Sequence, residues 1–188
     1  PETCPWWAAE YWGSKGPVAF EDLGHHHVRE WVMHATSHCE CSMMEILADG
    51  PQVPQFMLEF SWQLRWADHM RAIELFAEAN RLPDSTIFFL DVLGINQHPK
   101  QRGADLKLFM SGAIMTECRA SLLSFSPEPE HLKRLWVWRG VSWAVERGKG
   151  IFLADRHGII ACNQPFADGT WVCGQVDAKV TGLLSEFD

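Results

Sequence analysis

The sequence predicts an α/β fold: a mostly parallel sheet covered by helices on both faces. Three observations predict it. Short apolar runs at 31–38, 85–94 and 120–125 alternate with longer amphipathic stretches at 55–79, 103–117 and 131–147. The run Ser85–Gly94 (STIFFLDVLG) is near-continuous in hydrophobicity, as suits a strand buried on both faces of a parallel sheet. Strands separated by helices of this length join as parallel crossovers.

Residues 1–30 carry Trp6, Trp7, Trp12, Pro5, Pro17, Gly13, Gly16 and Gly24 without a strand or helix period. They predict an irregular segment packing its aromatics on the core, with a short helix around Pro5–Trp12. His25-His26-His27 reads as solvated loop, a weak metal binder at most. Trp31–His38 (WVMHATSH) is β-branched and aromatic and ends in polar groups, so it predicts a strand feeding the loop Cys39–Pro54. Met43–Ala48 predicts a helical turn within that loop.

Gln55–Ala79 predicts the strongest helix, because Phe56, Phe60, Leu64, Ala67 and Met70 recur at spacings of 4, 4, 3 and 3. Trp62 and Trp66 make a flanking stripe, and Asn80 and Pro83 end the helix. After the strand Ser85–Gly94 comes the polar loop Ile95–Pro99, then a helix over Gly103–Glu117 and a strand over Ala120–Phe125. His131–Arg147 is a third helix. Ile151–Ala154 and Ile159–Cys162 are short apolar runs around a turn at Asp155–Gly158. Trp171–Val176 predicts a last strand and Val180–Phe187 a final helix. Residues 31–188 thus form one α/β domain behind the 1–30 segment. Pro1 follows no charged-then-apolar leader, so the chain reads as a piece of a longer protein.

Composition excludes some function classes. The 188 residues carry a net charge of −8, against the basic stripe expected of a nucleic-acid binder. No apolar run is long enough to span a membrane. The six cysteines repeat no paired spacing, and a chain of this length needs no disulfide scaffold. A reduced, cytoplasmic protein is the expectation. His38-Cys39-x-Cys41 resembles half of a metal site, but no second ligand pair follows, so no metal is expected.

Ligands of open parallel sheets bind outside the carboxyl ends of the strands. That rule selects Ser37 and His38 after the first strand, Asp91, Asn96 and Gln97 after the second, and Ser124 and Ser126 after the third. Each also has an ordinary structural use: Asp91 to cap a loop or pair with Arg102, Asn96 to form an Asx turn ahead of Pro99. No dinucleotide or nucleotide-triphosphate glycine fingerprint is present, and no nucleophile elbow.

Three segments in order, Ala35-Thr36-Ser37-His38-Cys39, Phe88–His98 (FFLDVLGINQH) and Leu132–Ala144 (LKRLWVWRGVSWA), resemble the heterokaryon-incompatibility (HET) domains, relatives of the Toll/interleukin-receptor (TIR) fold. Ser37, His38 and Cys39 match the family's "SHC" motif; Asp91, Ile95, Asn96 and Gln97 match its "D…INQ" motif; Arg134 and Trp136 match its helix motif. The resemblance spans about residues 31–147. It implies a flavodoxin-like, TIR-like three-layer sandwich and a crevice for NAD as substrate or ligand, lined by Ser37, His38, Asp91, Asn96, Gln97 and Trp136. It also implies partners of the same kind, a second copy or other TIR-like domains, within a larger signalling protein.

Two departures bear on activity. Glu40-Cys41 replace the family's tryptophan-glycine, and Gly140 occupies the place of the helix glutamate that serves as catalytic carboxylate in NAD-cleaving relatives. Glu146 lies roughly 120° further round the helix and is a poor substitute. The expectation is therefore a module that binds NAD rather than hydrolyses it, with no tightly bound cofactor. The alternatives are a non-catalytic self-association domain and a flavodoxin-like binder of another small molecule.

Overall fold

A computed structural model describes residues 18–100, 102–124 and 135–163. After a 3-10 turn at Phe20–Asp22 the elements are α1 (His25–Ala35), α2 (Met43–Leu47), β1 (Phe56–Phe60), α3 (Trp66–Ala79), β2 (Phe88–Phe89) and α4 (Asp91–Gly94). Then follow α5 (Arg102–Met110), α6 (Ala113–Glu117), β3 (Ala120–Ser124), α7 (Leu135–Glu146), β4 (Gly150–Asp155) and β5 (Gly158–Cys162).

The five strands form one sheet in the order β2-β1-β3-β4-β5. Its first four strands pair in parallel, and β5 folds back antiparallel on β4. This is the flavodoxin-like strand order. β1 is an interior strand, paired along Phe56↔Ala120 to Phe60↔Ser124 on one side and with β2 on the other. The chain leaves β1 towards β2 and returns to β3 on the opposite side, so the topological switch point lies between the carboxyl ends of β1 and β3.

Alternation along the strands sorts the two faces. Phe56, Leu58, Phe60, Ala120, Leu122, Phe152 and Ala154 pack against Val28 and Val32 of α1 and Ala72 and Phe76 of α3. Met57 packs on the other face with Met115 of α6 and with Trp143 and Ala144 of α7, while Leu123 meets Val137. The result is three layers: α1 and α3, the sheet, then α5, α6 and α7. Gly112, at φ 71°, takes the left-handed conformation that separates α5 from α6, so the predicted helix 103–117 is two short ones.

Several predicted elements are corrected. Trp31–His38 is not a strand: α1 runs through Ala35, and His25, Val28, Val32 and Thr36, spaced 3, 4 and 4, are its buried stripe. The irregular segment therefore ends before residue 25, and His25 is fully buried rather than in a solvated loop. The helix predicted over 55–79 begins only at Trp66, and its first part is β1. A spacing of four satisfies both periods, since Phe56 and Phe60 share a face in a strand as well as in a helix. β2 is only Phe88–Phe89, half-buried at the sheet edge beside β1, and the chain then coils at once into α4. The strand at 120–124 and the helix at 135–146 lie where the sequence puts them, and the short apolar runs around the turn at 156–157 are the paired strands β4 and β5. The predicted elements at 5–12, 171–176 and 180–187 lie outside the described residues, as does 131–134 of the third helix. Among the described residues no helix is long and apolar enough to cross a membrane.

Candidate functional site

β1 is built of five buried residues, Phe-Met-Leu-Glu-Phe, and one of them is a carboxylic acid. Glu59 follows Met57 on the face turned to α7, close to the carboxyl end of the strand. A β-carbon at Gly140 would overlap the Glu59 carboxyl, so glycine at that helical position opens the space the acid occupies. α7 runs unbroken through Gly140, which accounts for a residue that costs ~1 kcal/mol relative to alanine in a helix.

Glu59 Oε1 has no hydrogen-bond partner among the described residues. Burial first, and the charge of Asp91 second, push the Glu59 carboxyl well above its ordinary value near 4.5. Both effects favour the uncharged form, which has an O–H to donate.

Asp91 opens α4, immediately after β2. Its Oδ2 accepts the indole N–H of Trp62, at 3.3 Å, from the residue pair that leaves β1. Its main-chain carbonyl accepts Gln97 Nε2 at 3.1 Å, and the same nitrogen donates to the Ile95 carbonyl at 3.0 Å. Gln97 is only 1% exposed, and its Oε1 has no partner among the described residues. Ser124, at the carboxyl end of β3, is also buried with its hydroxyl unpartnered among those residues. Such groups carry a desolvation cost that a ligand or water would relieve.

Asn96 is occupied in holding the loop. Its N–H donates to Asp105 Oδ2 (2.9 Å), its Nδ2 to the Glu40 carbonyl (2.6 Å), and its Oδ1 accepts the His98 N–H (2.9 Å) as an Asx turn. His98 Nε2 lies 2.7 Å from Thr36 Oγ1, whose own proton goes to the Val32 carbonyl at 2.8 Å. The hydroxyl therefore accepts, and His98 carries its proton on Nε2.

The predicted site residues thus separate. Gln97 is bonded to the Asp91 carbonyl, whereas Asn96 bonds to Asp105, Glu40 and His98 instead. Ser37 and His38 are exposed and sit in the turn after helix α1 rather than at a strand end; that turn meets the 96–98 loop through Thr36 and Glu40. Trp136 lies in α7, its side chain outside the described residues, as are Arg134 and Ser126. Sequence reasoning gave Glu59 no role and put Trp62 on a flanking stripe of a helix over 55–79, not in the site. The available signal was a single charge inside the apolar run FMLEF. Among the described residues no cluster of three or more metal-ligating side chains exists.

Fold and site together define a class: an open, flavodoxin-like α/β sheet with a buried acid near the carboxyl end of β1 and, among the described residues, unpartnered polar groups beyond the strand ends. Comparison with family models, curated proteins and solved structures yields no match.

Proposed function

We propose that this chain is a TIR/HET-like signalling module whose crevice, at the carboxyl ends of the strands, binds an NAD-type nucleotide without cleaving it. The observation that carries the reading is the grouping of Glu59, Asp91, Trp62 and Gln97 after the carboxyl ends of β1 and β2, the end of the sheet at which this fold class takes its ligands. Glu59 O–H and Gln97 Oε1 supply one donor and one acceptor for a polar ligand, and Asp91 holds Trp62 in place.

Binding is favoured over hydrolysis for an electrostatic reason. Cleaving a nicotinamide–ribose bond builds positive charge on the ribose, which a fixed negative charge would stabilise. Gly140 has no side chain to supply it, and burial and the charge of Asp91 disfavour the charged form of Glu59. The test is NAD titrated against the purified chain by calorimetry, with free nicotinamide followed in parallel. Expected are saturable binding, weakened at least tenfold in Glu59→Ala, and no nicotinamide above the uncatalysed background. Absence of binding overturns the reading; nicotinamide release overturns its non-catalytic half.

A second reading, self-association, is favoured by the apolar side chains that α2 and the following loop leave exposed: Ile46, Leu47 (64% exposed) and Val53 (60%). Light scattering across a concentration series tests it, and a monomer throughout removes it.

A further inference from the structure

The turn after α1 brings two sulfur atoms together. Cys39 Sγ and Cys41 Sγ lie 2.8 Å apart, with Cys39 exposed and Cys41 half-buried. Local backbone creates the contact. Glu40 between them adopts φ 49°, a left-handed conformation uncommon outside glycine. The Thr36 carbonyl gathers three donors from the turn: Cys39 N at 3.2 Å, Glu40 N at 2.8 Å and Cys39 Sγ at 3.4 Å.

The same turn is fastened to the loop beside the candidate site. The Glu40 carbonyl accepts Asn96 Nδ2, and the Thr36 hydroxyl accepts His98 Nε2. A change at the sulfurs therefore acts on residues one hydrogen bond away from 96 and 98.

We propose that Cys39 and Cys41 are a site of reversible oxidation, closing to a disulfide by exchange with a small-molecule disulfide and so resetting the turn that holds Asn96 and His98. The thiolate of Cys39 attacks the external disulfide, forming a mixed disulfide and releasing one external thiol. Cys41 then loses its proton to solvent and attacks the Cys39 sulfur, closing the internal bond and releasing the second external thiol. Two protein thiols are oxidised by two electrons, and one external disulfide is reduced to two thiols.

Burial, then the hydrogen bond and charge of Cys39, push the Cys41 thiol up to about 11. Capture of the external disulfide at Cys39 removes the last two of these, so the first step activates the second. A bridge across one intervening residue closes a very small loop. It adds little stability and is readily reduced, which suits a switch rather than a staple. This inference rests on the sulfur geometry and stands independently of any nucleotide.

The test equilibrates the full chain with graded ratios of reduced to oxidised glutathione, then traps free thiols by alkylation. Cleavage after Glu40 separates the two cysteines unless a disulfide joins them. Expected is a Cys39–Cys41 cross-link with loss of two hydrogens, reversed by dithiothreitol and abolished in both Cys39→Ser and Cys41→Ser. Amide exchange across 95–99 should change by roughly fivefold on oxidation, the scale of one hydrogen bond. Glutathione adducts alone, a cross-link to any other cysteine, or no oxidation overturns the site. A cross-link that leaves exchange at 95–99 unchanged overturns the link to the loop.

Discussion

The carboxyl of Glu59 stands in the space a side chain on Gly140 would fill. A strand residue and a helix residue 81 positions apart, by their numbers 59 and 140, thus share one volume.

Gly140→Ala is expected to destabilise the protein by ~1–3 kcal/mol through overpacking, although alanine is the better helix former by ~1 kcal/mol. Glu59→Ala combined with Gly140→Ala should recover most of that loss. A double-mutant cycle from urea denaturation measures it, and two additive substitutions would contradict the contact.

Glu59 also predicts a pH dependence. Its folded-state carboxyl titrates well above the ordinary value near 4.5, so its contribution is fully present below that pH and falls away as pH rises towards the folded value. Glu59→Gln, uncharged at every pH, should flatten this alkaline-side decline in melting temperature. An unchanged pH profile would show that Glu59 is already ionised in the folded chain.

The buried histidines predict the opposite slope. His25 is lowered to about 3, chiefly by burial, and His69 is lowered well below 6.5 by burial and by His25. Both are neutral in the core, their rings 5.1 Å apart. Stability should fall as pH drops below 6.5, where the unfolded chain takes protons that the folded chain refuses. His69→Phe should reduce that acid loss. It should also cost little at neutral pH, because neither His69 ring nitrogen has a partner among the described residues. Thermal melts from pH 4 to 8 measure both effects.

Asn96→Ala should cost ~1–3 kcal/mol, since it leaves the Glu40 carbonyl and the His98 N–H without their partner. Amide exchange should rise in the 36–41 turn as well as at 96–98. A rise confined to 96–98 would mean that the two loops are not mechanically joined.

Much of the architecture was legible in residues. β3 and α7 stand out because their apolar periods are unmixed: a continuous run for a strand buried on both faces, a helical stripe for α7. The polar loop at 95–99 was legible too, because a stretch packed with hydrogen-bonding residues after an apolar run is a local signal. β1 was not. Its aromatics are four apart, a spacing shared by the two periods, and only its pairing with β2 and β3 decides between them. α1 was obscured by its β-branched and aromatic content, whose strand preference is overridden by burying Val28 and Val32 against the sheet.

By itself, then, the sequence determined the class, an α/β sheet covered on both faces, because hydrophobic periodicity is a property of neighbours along the chain. It also determined the polar loop at 95–99. Only the tertiary structure decided that the chain crosses from β2 past β1 to β3, that Ser37 and His38 lie beyond a helix, and that Glu59 rather than a residue of α7 brings an acid to the switch point. Those outcomes depend on which distant surfaces meet, and the free energy of that meeting is set by packing and desolvation, which no local spacing records.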